Sequence, residues 1–173
     1  MAEIFISYRR DDSGGYAGRL EESLERVFGA GSAFRDVVDL RPGEDYMRVL
    51  TERIAGAGAV LVVIGPRWLA AEQDGMRRLE RENDVVRQEV LVALASGKPV
   101  IPVLVGGAVM PEAMMLPAPL AGLARYQAVS LSEAGWEADL GRLTAVLAPL
   151  LARPRAPRRR DWLVAGAVAV LLA

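Results

Sequence analysis

The chain contains neither cysteine nor histidine. Without cysteine there is no disulfide framework, no thiolate nucleophile and no thiolate-bound zinc or iron–sulfur site. Without histidine the Ser-His-Asp and Cys-His mechanisms and the usual zinc hydrolase ligand sets are excluded as well. Chemistry is left to carboxylates, arginine, lysine, tyrosine, hydroxyls and backbone amides. The opening Met1-Ala2-Glu3-Ile4 lacks the basic segment and apolar run of a secretory signal. The glycines Gly14, Gly15 and Gly18 do not form the G-x-G-x-x-G spacing of a dinucleotide fingerprint.

At 173 residues, 52% of them hydrophobic and 25% charged, the chain fits one folded domain of ordinary size. The net charge is −1, yet five Arg and one Asp follow Ala152, which leaves 16 basic against 21 acidic residues before it. The body is therefore acidic, and nucleic acid is not expected as a partner.

Short apolar runs alternate with amphipathic stretches from residue 3 to residue 152, a pattern of βαβ units around a parallel sheet. Strands are expected at Glu3 to Ser7, Ser32 to Arg35, Ala57 to Ile64, Val100 to Val105 and, at an edge, Tyr126 to Leu131. The run Ala59 to Ile64 suits a central strand covered on both faces. Helices are expected from Ser13, as N-cap, to Phe28, then at Tyr46 to Ala55, Asp84 to Ser96 and Glu137 to Leu151. Gly29 to Gly31 ends the first of them. Charge-rich residues 73 to 83 show little periodicity and read as a loop or short helix, and residues 106 to 119 as an irregular connection.

Residues 1–152 thus form one domain, 153–161 a basic Pro/Arg linker, and Trp162 to Ala173 an uncharged apolar run. As a helix that run spans about 18 Å, short of a bilayer core of roughly 30 Å. Its arginine flank and Trp162 match the cytoplasmic border of a transmembrane helix, so it reads as the start of one, in a chain that continues. The amino-terminal domain is expected in the cytoplasm, anchored to the inner membrane.

The heptad Ile4-Phe5-Ile6-Ser7-Tyr8-Arg9-Arg10 resembles the opening strand and loop of TIR domains of the bacterial type. Four further stretches match in the same order: Phe34-Arg35-Asp36, Leu40-Arg41-Pro42-Gly43-Glu44-Asp45, Val62 to Trp68, and Gly97 to Val103. The resemblance covers about residues 3 to 150. It implies a three-layer, flavodoxin-like α/β fold, a five-stranded parallel sheet with helices on both faces.

Enzymatic TIR domains cleave the nicotinamide–ribose bond of NAD+ with one glutamate on the third helix, and by position that glutamate is Glu89. A helix glutamate taken alone reads as solvated surface. The resemblance makes Glu89 catalytic, with NAD+ as substrate and with neither a separate cofactor nor a metal. The chemistry suits so few residue types. Pyridinium is already a good leaving group, and a carboxylate beside the ribose stabilises the oxocarbenium-like transition state.

Substrate contacts are expected from Tyr8, Arg9, Arg10, Asp36, Arg41 and Trp68, with Arg9 and Arg10 placed to hold the pyrophosphate bidentately. Several NADase relatives carry tryptophan four residues before the glutamate. Here that residue is Val85, for which Trp68, or Tyr46 of a neighbouring subunit, would substitute.

The loop containing Pro42, Gly43, Glu44 and Asp45 mediates packing of one TIR domain on another in the family, so a homo-oligomer or filament is implied. The leading reading is an NAD+ glycohydrolase or cyclase activated by self-association, an effector of bacterial antiphage defence. The alternative is a non-catalytic TIR scaffold. A phosphate-sensing receiver is a third reading, opposed by Arg9-Arg10 where paired carboxylates are expected.

Overall fold

A computed structural model describes residues 3–35 and 45–152. Five strands form one sheet: β1 (Glu3–Ser7), β2 (Ala33–Arg35), β3 (Ala57–Ile64), β6 (Val100–Val105) and β7 (Val129–Leu131). Their order is β2-β1-β3-β6-β7, and every neighbouring pair is parallel. The helices are α1 (Arg10–Phe28), α2 (Tyr46–Gly56), α3 (Val85–Ala95) and α4 (Trp136–Leu151).

Strand alternation divides the interior in two. Ile4 and Ile6 of β1, with Ala59, Leu61 and Val63 of β3, face Ala17, Leu20 and Leu24 of α1 and Leu140, Leu143 and Leu147 of α4. Phe5, Val60, Val62 and Ile64 face the opposite way, onto Leu50 and Ile54 of α2 and Val86, Val90 and Ala93 of α3. Each leucine buried this way contributes about 1.5–3 kcal/mol. With apolar residues on both faces, β3 is the central buried strand that its unbroken run announces.

Three elements differ from the expectations. Ser13 is not the N-cap of α1. A first turn from Arg10 is broken by a kink at Ser13, whose φ −129° and ψ 18° are non-helical, so the continuous helix does run on from Ser13. The Ser13 hydroxyl, however, donates to the Arg9 carbonyl at 3.3 Å and caps nothing. The stretch expected as a loop or short helix at 73–83 holds most of a hairpin, β4 (Glu72–Gln73) and β5 (Met76–Arg77), followed by a 3₁₀ turn at Arg78–Glu80. Its turn is Asp74-Gly75 with φ of 54° and 73°, the left-handed pair a tight hairpin requires. The edge strand is shorter than expected, Val129–Leu131 only, and before it Ala118–Arg125 coils into a 3₁₀ helix that buries Leu120 and Leu123.

Among the described residues no helix is long and apolar enough to cross a membrane. The expected linker 153–161 and apolar run 162–173 lie outside the described residues, as do Asp36, Arg41, Pro42, Gly43 and Glu44.

Candidate functional site

In a parallel sheet the strands all end at one edge, and ligands bind there. At that edge the alternation of β1 continues past its last residue, because Arg9 is itself extended, with φ −99° and ψ 114°. Phe5, Ser7 and Arg9 therefore project toward α3, whereas Tyr8 joins Ile4 and Ile6 against α1 and α4.

Ser7 and Glu89 meet across this face. The Ser7 hydroxyl donates to Glu89 Oε2 at 2.6 Å, and both residues are buried, Glu89 to 2% exposure. The expectation of a solvent-facing Glu89 is thus corrected. α3 lies flat on the sheet and turns the stripe Val86, Glu89, Val90, Ala93 inward. A desolvated carboxylate beside a hydroxyl interacts with a developing cation more strongly than a hydrated one does.

Asp84 caps α3, its Oδ1 accepting from Arg87 N at 3.0 Å. Arg9 reaches the same carboxylate with both terminal nitrogens, Nη1 to Oδ2 at 3.0 Å and Nη2 to Oδ1 at 3.1 Å. Arg78 Nε lies 3.3 Å from Asp84 Oδ2, and its Nη1 is 3.2 Å from Asp11 Oδ1. Above this cluster opens a cavity of about 420 Å³ lined by Tyr8, Arg9, Arg10, Asp11, Arg78, Val85 and Val86. Glu89 and Ser7 are not part of that lining; Glu89 stands one helical turn along α3 from Val85 and Val86, which are.

The expected contacts separate accordingly. Tyr8, Arg9 and Arg10 gather at the cavity, Arg10 exposed on its rim. Arg9 already has both terminal nitrogens on Asp84. Trp68 is a correction: it is fully buried in the α2/α3 core and lines neither this cavity nor a neighbouring one of about 270 Å³. Its size and apolar surface are used in packing. Asp45, expected in the assembly loop, caps α2 by accepting from Met47 N at 2.9 Å. Val85, in the aromatic's place, is 47% exposed at the mouth.

Ser7, Asp84 and Arg78 were not among the expected site residues. The signals for them are indirect: Ser7 and Arg9 stand two apart on a strand and so share a face, and Asp84 stands three before Arg87, where an N-cap belongs. Among the described residues no three carboxylates cluster closely enough to hold a metal ion.

Comparison with known proteins follows the same lines. The TIR domain family profile matches residues 4–144. Among solved structures, the TIR domains of the activated Roq1 resistosome that directly recognises the pathogen effector XopQ superpose with a TM-score of 0.62 at 13% identity. That match covers 85% of this chain and 99% of that one. The TIR domain of the Toll-related receptor TRR-2 from Hydra magnipapillata gives 0.55 at 15% identity, covering 87% and 98%. A metazoan TIR-STING receptor from C. gigas, in complex with 2′,3′-cGAMP, gives 0.51 at 21% identity, covering 89% of this chain and 40% of the receptor. At such identities these structures speak for the fold, and the profile match, which spans most of the chain, speaks for the family: the chain belongs to the TIR domain family.

Proposed function

We propose that this chain is an NAD+ glycohydrolase, with cyclisation as an alternative fate of the ribosyl cation, and that Glu89 is its catalytic carboxylate. The observation that carries the reading is a glutamate buried to 2% exposure and hydrogen-bonded to Ser7 at 2.6 Å, one helical turn along α3 from Val85 and Val86, which line an open cavity at the carboxyl edge of a TIR sheet. A carboxylate kept from water on a core-facing helix stripe needs a reason, since an alanine or leucine there would pack without desolvation. Stabilising an oxocarbenium-like ribose supplies one.

In this mechanism nicotinamide leaves as a neutral pyridine and takes the electron pair of the glycosidic bond. Glu89 faces the cation and the ribose hydroxyls. Ser7 holds the carboxylate in one rotamer, and water, or a nucleophile within the substrate, completes the substitution. In the bacterial setting that the motif resemblance implies, such NAD+ depletion serves antiphage defence, with the domain acting in a homo-oligomer and tethered to the inner membrane by residues 162–173.

A scaffold without catalysis is favoured by one observation, the aliphatic Val85 at the cavity mouth where an aromatic ring would stack. Incubation of concentrated protein with NAD+, with products separated by chromatography, decides between the two. Glu89→Gln keeps an acceptor for the Ser7 hydroxyl and is expected to fold while losing at least about 100-fold in turnover. Near-normal turnover in that variant would make Glu89 structural only.

A further inference from the structure

We propose that the buried pair Arg9–Asp84 is a positioning device for Glu89, fixing the height and rotation of α3 against β1 so that the carboxylate meets Ser7 one turn from the cavity-lining Val85 and Val86. The kinetic part of this inference rests on the catalytic reading of Glu89, and the structural part does not.

Two side-chain contacts tie the end of β1 and the chain just past it to α3 and its N-cap. The lower is Ser7 Oγ to Glu89 Oε2 at 2.6 Å, and the upper is the bidentate Arg9–Asp84 contact at 3.0 and 3.1 Å. Their spacing matches on both elements. Two residues of extended chain from Ser7 to Arg9 rise about 6.6 Å, and five residues of helix from Asp84 to Glu89 about 7.5 Å. A single hydrogen bond between two rotatable side chains leaves a helix able to roll or slide. Two links a turn and a half apart do not.

The upper link has the chemistry of a fixture. Guanidinium and carboxylate lie fork to fork, which sets orientation as well as distance. Asp84 Oδ1 also accepts from Arg87 N at 3.0 Å, so the group that Arg9 grips is the N-cap of the helix itself. The Arg9 and Asp84 side chains are 1% and 2% exposed. An ion pair so buried contributes little net stability compared with apolar side chains of the same volume. An exposed aspartate alone would cap the helix. Geometry accounts for the second charge, and Arg78, 3.3 Å from Asp84 and tied to Asp11, extends the fixture to the first turn of α1.

The test compares the full chain with Arg9→Lys, Asp84→Asn and the double variant Arg9→Met/Asp84→Asn, which keeps side-chain volume and the N-cap oxygen while removing both charges of the pair. Lysine retains the charge and loses the fork. Steady-state NAD+ cleavage is expected to fall at least tenfold in kcat, with KM within about twofold, and the double variant to be no worse than either single one. Amide hydrogen exchange is expected to accelerate at residues 85–90 while the β3 amides keep their protection.

A rise in KM with kcat unchanged would show that Arg9 binds substrate instead. Acceleration shared equally by β3, or unchanged kinetics and exchange, would equally overturn the proposal. If the parent protein does not cleave NAD+, the catalytic reading fails, and hydrogen exchange alone still decides whether the pair holds α3.

Discussion

A Cβ built on Gly65 would lie 2.4 Å from Asp12 Oδ2. The contact joins the end of β3 to the first turn of α1, where Asp12 Oδ1 accepts from Arg67 N at 2.9 Å. Gly65→Ala is therefore expected to lower the unfolding free energy by about 1–3 kcal/mol through overpacking, read from urea titration. Asp12→Ala removes the obstacle together with the hydrogen bond, so the double variant is expected to be more stable than the sum of the singles. Strict additivity would show that the two residues do not meet. Trp68 supplies a second case. Buried in the α2/α3 core, it is expected to tolerate Phe with NAD+ cleavage within about threefold, whereas Trp68→Ala costs about 3–5 kcal/mol. A large kinetic defect in a stable Trp68→Phe protein would return the ring to the substrate site.

The amino end of α4 depends on one carboxylate. Asp139 Oδ2 accepts from the Ser132 backbone N–H and hydroxyl, both at 2.8 Å, and Arg142 contacts Oδ1. The Ser132 bonds, backbone first, hold the Asp139 carboxyl below its usual value. A carboxylate lowered in this way contributes stability that is present above its unfolded pKa near 3.9. That contribution is lost as pH falls through the folded value. Urea midpoints from pH 7 down to pH 3 are expected to fall less in Asp139→Asn than in the parent, with the variant less stable at neutral pH. Parallel curves would remove Asp139 from the acid response. Elements were legible to the extent that they carry a period. The run Ala59 to Ile64 and the heptad from Ile4 marked β3 and β1 because buried parallel strands need continuous apolar sequence. The hairpin at Glu72 to Arg77 did not show, since two-residue strands have no period, although Asp74-Gly75 is a turn signal. At the site, Glu89 was legible through motif position alone. Its burial was not, because the inward face of α3 depends on where the helix lies, and Arg9 reads as a pyrophosphate clamp because no local pattern pairs it with Asp84, 75 residues on.

At the scale of the whole molecule, activity through self-association predicts that NAD+ cleavage rises more steeply than linearly with protein concentration. The reason is that Val85 offers no ring at the third-helix position, which a neighbouring subunit would supply. Specific activity that is flat over a hundredfold dilution would show that each domain acts alone. The sheet itself carries a kinetic consequence. Each of its ladders is parallel, so every strand finds its partner across an intervening helix or long connection, as Phe5 does Phe34, Ile4 does Ala59, Val60 does Val100 and Val103 does Val129. The hairpin at Glu72 to Arg77 is the local exception among the described strands, and it is too short to nucleate anything. Folding therefore begins with the closure of long loops, which places this domain among the slower folders of its size, on the order of milliseconds to seconds. During that interval the most apolar strand, Ala57–Ile64, stands without neighbours, so refolding yield is set by chain concentration. The same apolar run that makes β3 the centre of the finished sheet makes it the segment most exposed to intermolecular pairing before the sheet exists.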